Sequence, residues 1–205
     1  MRIITLKTPL LFLLGLGLTF SSANAQAIKL SIDDPEFDDL PSPEFGGNTD
    51  EKKTDPKDWL EVEVKLNVDA VRPEPKDGYI DRLEIRWYVA VEDPASRGYF
   101  LLEKDVTYLN IPIKEEQYAS VYLAPSAIRR LTGSDRAGKG SIWGVAGEVL
   151  FNGTKVAVFS SKSEKEWWKS SSLSRTDKIP LLSKGDTPFK FLWWDRYLQE
   201  EPSRR

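Results

Sequence analysis

The residues that could do chemistry in this chain are carboxylates and aromatics, because its 205 residues include no His and no Cys. Zinc and copper sites lose their usual nitrogen and sulfur ligands, and a serine nucleophile loses its usual imidazole base. Glycoside hydrolysis survives the loss, since it needs only two carboxyl groups flanking a glycosidic bond. Glu61, Glu63, Asp69, Glu84 and Glu148 are the carboxylates that fall in regular segments. Each occupies the polar phase of an alternating stretch, where a wet sheet face explains it equally. Trp167-Trp168 and Trp193-Trp194 offer a second chemistry, the stacking of an exposed indole on a sugar ring. Adjacent strand residues point to opposite faces, so at most one Trp of each pair serves as a platform while the other packs.

Two apparent ligand motifs dissolve on inspection. The stretch from Gly133 through Gly138-Lys139-Gly140 approximates a phosphate-cradling G-x4-G-K-[ST] loop. Gly140 stands where the magnesium-binding hydroxyl belongs, and a hairpin rather than a helix follows, so the stretch reads as a loop. The aspartates of residues 33–39 lack the D-x-[DN]-x-[DN]-G spacing of a calcium loop and read as a solvated run. No metal and no cofactor is expected.

The elements that must position these residues are strands. Leu60, Val62, Val64, Leu66 and Val68 alternate with Glu61, Glu63, Lys65, Asn67 and Asp69, a period of two that a helix cannot satisfy. Leu83, Ile85, Trp87, Val89 and Val91 repeat the pattern against Arg82, Glu84 and Arg86. Shorter strands are predicted at residues 99–103, 106–111 and 117–123, and one or two helical turns at residues 125–131, closed by Gly133. Asn152-Gly153 joins two apolar arms, residues 141–151 and 154–160, as a type I′ hairpin. That turn predicts Val149 opposite Val156 and Gly147 opposite Val158, and the Asn152-Gly153-Thr154 sequon reads as turn chemistry. The Trp-rich segment from Thr187-Pro188 to Glu200 fits a strand or a helix, and its type stays open. About seven short strands with little helix predict an all-β, antiparallel two-sheet sandwich, immunoglobulin-like, with Trp87 in its core.

The N-terminal quarter carries a different pattern. Residues 10–20 are apolar, follow Arg2 and Lys7, and precede Ala23-Asn24-Ala25, which reads as a secretory signal peptide over residues 1–25. The run is shorter than the roughly 20 residues a membrane span needs, so no transmembrane segment is expected after cleavage. Removing Arg2 and Lys7 from the 29 Lys and Arg leaves 27 against 32 Asp and Glu, which argues against nucleic acid as a partner. Ile28, Leu30 and Ile32 alternate as a short strand within residues 26–57, ahead of an acidic, proline-containing stretch expected to be a mobile linker. Such a tethered strand either folds back onto its own sheet or pairs with the edge of a neighbouring subunit. Residues 58–205 form the sandwich domain with its Trp-rich end.

The Asp58-Trp59-Leu60-Glu61-Val62 and Arg86-Trp87-Tyr88 strands, the Asn152-Gly153 hairpin, the acidic linker and the Trp-rich tail together give the chain a family likeness. It resembles the small pilus-like proteins that accompany type IV pilus genes in Akkermansia-type Verrucomicrobia. The resemblance implies an exported immunoglobulin-like domain of the periplasm or cell surface, associated with a pilus or outer-membrane complex. It supplies no binding residues. Unlike a type IV pilin, this chain carries its apolar run ahead of the Ala-x-Ala site, so an accessory place is implied rather than one in a filament core.

The expected function is therefore non-enzymatic and built on protein contacts, including self-association. Candidate interaction residues are Ile28, Leu30, Ile32, Trp167, Trp193 and Trp194. A carbohydrate-binding module using an exposed Trp is the second reading, and a carboxylate-based glycosidase the third.

Overall fold

The computed structural model describes residues 27–44, 55–134 and 138–202. The segment read as a signal peptide with its cleavage site, residues 45–54 of the stretch read as a linker and residues 135–137 of the glycine-rich loop lie outside them. The strands in chain order are β1 (Ala27–Ile32), β2 (Glu36–Pro41), β3 (Asp58–Arg72), β4 (Tyr79–Glu92), β5 (Tyr99–Pro112), β6 (Glu116–Leu123), β7 (Ile142–Phe151), β8 (Thr154–Ser160), β9 (Leu173–Arg175), β10 (Leu182–Ser183) and β11 (Gln199–Glu200). One helix, α1 (Pro125–Thr132), follows β6.

The strands form two packed sheets. The first runs β1-β3-β6-β10, with β2 also on β3; the second runs β11-β5-β4-β7-β8, with β9 also on β5. Every pairing but that of β9 with β5 is antiparallel. Neighbours β1-β3-β6 and β5-β4-β7-β8 match the A-B-E and C′-C-F-G order of an immunoglobulin sandwich. Trp87 then lies on the strand where such domains keep a core Trp, and it is fully buried. The inward phase of β3 (Leu60, Val62, Val64, Leu66, Val68) meets that of β4 (Leu83, Ile85, Trp87, Val89, Val91) in one continuous core. Helix α1 closes one end of it. Pro125 starts the helix with φ already set, Ala127, Ile128 and Leu131 face the core, and Gly133 ends it at φ 74°.

Four expectations need correction. The acidic linker is not mobile throughout: Glu36–Pro41 is β2, paired with Asp58–Glu63 of β3. Phe37 packs on the core, and Lys139 bonds Asp38 through Nζ and Asp39 through its backbone N–H, so local partners neutralise charges that composition counts as solvated. The strands foreseen at residues 99–103 and 106–111 are one, β5, paired along its length with β4. Lys104 and Asp105 do not break it, because β4 supplies ladder bonds across them and Lys104 reaches Asp186 outside the strand.

The hairpin turn is as expected, with Asn152 at φ 51° and Gly153 at φ 74°, but the register is not. Phe151 faces Thr154 and Leu150 faces Lys155. A bulge then shifts the pairing, so Val149 meets Ala157, Glu148 meets Val158 and Gly147 meets Phe159. The bulge sends Val156 and Val158 outward and brings Phe159 in. Phe159 gains an edge contact with Trp87 at 5.2 Å and fills the place of a side chain at Gly147, where a Cβ would lie 2.2 Å from its ring. The fourth correction concerns Trp167, which is buried in the second aromatic layer described below.

Candidate functional site

Both sheets bear aromatic residues on their outer phase, where a wet face would carry only polar groups. On the second sheet these are Tyr88 of β4, Tyr99 of β5 and Trp143 of β7. Trp167 and Trp168, in the 3-10 turn Trp167–Lys169, lie over them, exposed by only 3% and 2%. Trp168 stacks on Tyr88 at 5.6 Å, and Trp167 meets Trp143 edge-on at 5.2 Å while its indole N–H donates to Ser160 Oγ. The absence of a Cβ on Gly144 admits the Trp167 ring, which would otherwise lie 3.2 Å away. Glu148 sits beside this layer and accepts from Tyr88 and Lys155. Burial, with the Glu148 charge second, pushes the Tyr88 hydroxyl up to about 12. Trp167 is therefore core, and the sugar platform or contact expected of it is withdrawn.

On the first sheet the outer phase carries Trp59, Glu61 and Glu63 of β3 and Tyr118, Ser120 and Tyr122 of β6. The chain returns over them at its C-terminal end. Thr187 caps the 3-10 turn Pro188–Phe191, accepting from the Phe189 N–H. Phe189 is buried between the edge of Trp59 and the face of Tyr122, and Trp193 stacks on its far side at 6.2 Å. Arg196 and Tyr197 then clamp the segment down. Tyr118 N–H donates to Arg196 O and Leu198 N–H to Tyr118 O. The Arg196 guanidinium lies 3.8 Å over the Tyr118 ring and pairs with Glu63 at 2.6 Å.

The clamp consumes the carboxylates that glycoside hydrolysis would require. Tyr122 and Tyr197 hydroxyls both donate to Glu61 Oε1, at 2.5 and 3.1 Å, and the Tyr197 hydroxyl also meets Glu63 Oε2 in a short contact. Burial raises the pKa of Glu61 from its ordinary value and raises those of Tyr122 and Tyr197. Glu61 and Glu63 thus both bond the returning tail. Asp69 accepts from Ser31, Glu84 pairs with Arg86, and Glu148 serves the other layer.

What this tail leaves outside is a ridge. Phe191 is 56% exposed, Trp193 48% and Trp194 70%. Trp193 is held at φ 55°, a left-handed conformation costing a bulky residue roughly 1–2 kcal/mol, which persists where surrounding contacts impose it. The Trp194 indole N–H donates to Lys190 O, which fixes the ring's direction. Of the residues expected to make contacts, Trp193 and Trp194 are thus brought together and accessible. Ile28, Leu30 and Ile32 are elsewhere: β1 folds back on β3, with Ile28 opposite Val71, Leu30 opposite Val68 and Ile32 opposite Leu66, all against the core. Within the single chain β1 takes the fold-back alternative.

Sequence reasoning missed Tyr122, Tyr197 and Lys184, which complete this region. Tyr88, Tyr118 and Tyr122 in the polar phase of strands were the available signal, since an aromatic there needs a second layer to cover it.

A protein-family model matches residues 21–204. A crystal structure of a protein from Akkermansia muciniphila superposes with a TM-score of 0.82 at 36% identity, over 90% of this chain and 98% of that one. No curated protein matches the chain. The family match extends through the tail.

Proposed function

The chain belongs to the protein family whose model spans residues 21–204, and on that premise we propose that it is a non-enzymatic, exported accessory protein of a pilus or outer-membrane complex. Its Akkermansia-type relationship supports the reading, and one observation carries it. Three large aromatics stand exposed on a segment clamped to a rigid sandwich. Soluble domains seldom expose such a cluster without a use, and Trp is enriched among the residues that dominate protein interfaces. The clamp pre-orders the ridge, so little entropy is lost when a partner covers it. The occupied state of Glu61 and Glu63 supports a contact role over hydrolysis.

Crosslinking in intact cells, read by mass spectrometry, tests this. Lys190 adjoins the ridge and is the expected crosslinking site to pilus or secretin-like components, and the double change Trp193→Ala, Trp194→Ala should remove the product. Wild-type and doubly changed proteins giving the same crosslinks would sink the ridge as the contact surface. Carbohydrate binding is the second reading, favoured by the exposed face of Trp194. Recovery of glycan-bearing material alone, with a monomeric protein in solution, would decide for it.

A further inference from the structure

Beside the ridge lies a groove of about 370 Å³, walled by Trp194, Tyr197, Lys190 and Glu200 and floored by Lys184. Lys184 is the unusual member. Its residue is only 7% exposed, yet no carboxylate forms an ion pair with it among the described residues. Its ammonium donates to Leu192 O at 2.6 Å and lies 4.8 Å over the Tyr197 ring. An ammonium has three donors, so two remain without an acceptor among the described residues. A buried cation left in this state is costly unless an anion completes it. Burial lowers its pKa, with the Glu200 and Glu61 charges pulling the other way.

The carboxylate in the wall does not complete it. Glu200 Oε2 accepts from Ser183 Oγ and the Gly185 N–H, both at 2.8 Å, and Glu200 and Glu61 act on Lys184 as nearby charges without an ion-pair contact. Lys190 contributes a second ammonium at the rim, over the Phe191 ring at 4.9 Å. The groove thus presents two cations, one buried, beside a flat indole whose orientation is fixed by its own hydrogen bond.

We propose that this groove binds an acidic sugar residue, with the apolar C–H face of the ring on Trp194 and its carboxylate on the Lys184 ammonium. A pyranose acid joins a flat apolar face and a charge in the ring plane, the pairing these walls present. An acidic peptide fits less well. Its carboxylates sit on flexible side chains, with no flat C–H face to lie on the Trp194 ring. The site goes beyond the accessory role and does not rest on it.

The test is calorimetric titration of the full chain with trigalacturonate, the neutral galactose trisaccharide and an acidic peptide. Trigalacturonate is expected to bind at least tenfold more tightly than the other two, and more weakly as salt rises. Lys184→Met should lower its affinity at least tenfold while retaining the thermal transition. Trp194→Ala, at an exposed position, should lower it comparably and gives an answer even where Lys184→Met fails to fold. Equal affinity for the acidic and neutral sugars, preference for the peptide, or binding indifferent to both substitutions would overturn the proposal, as would no binding of trigalacturonate. Trp193→Ala separates the two readings: it removes ridge crosslinks but, lying outside the groove, leaves trigalacturonate binding unchanged.

Discussion

The two outer faces of the sandwich solve the same problem in opposite ways. Over the second sheet, Trp167 and Trp168 come down from a 3-10 turn and are sealed against Tyr88, Tyr99 and Trp143. Over the first sheet, the C-terminal segment buries Phe189 and Tyr197 but leaves Phe191, Trp193 and Trp194 in water. The dry layer rests on ring packing, with the Glu148–Lys155 pair at its side. The open layer rests on the Glu61, Glu63, Tyr122, Tyr197 and Arg196 bonds, which fix position while burying less. Aromatic content therefore does not distinguish cover from contact surface; the hydrogen bonds beneath each layer do. A polar clamp can hold a ridge in register without hiding it, whereas a layer held by apolar area must hide what holds it.

The largest expected effect tests that division directly. Trp168→Ala removes a fully covered ring stacked on Tyr88 and should cost about 3–5 kcal/mol in urea unfolding, the usual range for a buried Trp. Trp194→Ala should change stability by less than about 0.5 kcal/mol, as surface changes do. Similar losses at the two positions would erase the distinction between the layers. A middle-sized effect comes from the clamp. Tyr197→Phe keeps the ring but takes away the hydroxyl shared by Glu61 and Glu63, and should cost about 1–2 kcal/mol. It should also speed tryptic cleavage at Lys190 and Arg196 relative to the rest of the chain. Unaltered cleavage would mean that stacking of Phe189 and Trp193, rather than the clamp, orders the tail.

The sandwich was legible because its core strands obey a strict period: β3 and β4 follow the alternation of Leu60 to Val68 and Leu83 to Val91 residue by residue. Local chemistry gave the Asn152-Gly153 turn, but the register beyond it depended on whether Phe159 or the valines reached Trp87, a tertiary choice that turn residues do not encode. β2 was hidden for a related reason. Glu36, Asp38 and Asp39 look solvated until β3 and Lys139 are placed beside them. Of the site, Trp193 and Trp194 were visible as a pair. The buried Lys184 was not, since nothing in its neighbourhood along the chain says that the Tyr197 ring and Leu192 O will enclose it.

The smallest effect sharpens the comparison by its sign. Burial raises the pKa of Glu61, with Tyr122, Tyr197 and Arg196 pulling the other way and the Glu63 charge adding to the rise. A carboxyl group with a raised folded-state pKa lends stability below its unfolded value, and that stability is lost as pH climbs through the raised one. At pH 7 ionised Glu61 is thus a cost to the fold. Both tyrosine hydroxyls donate to the same oxygen, Oε1, so an amide oxygen in that place keeps both bonds and carries no charge. Glu61→Gln should therefore stabilise the protein at pH 7, by on the order of 0.5 kcal/mol, and the gain should disappear as pH falls below about 4.5. Urea melts at pH 7 and pH 4 measure both ends. A variant less stable than wild type at pH 7 would mean that charge-assisted tyrosine bonds outweigh desolvation, making the clamp a net source of tail stability. With the predicted sign, the two tyrosine bonds to Oε1, and not the charge behind them, hold the ridge where it stands.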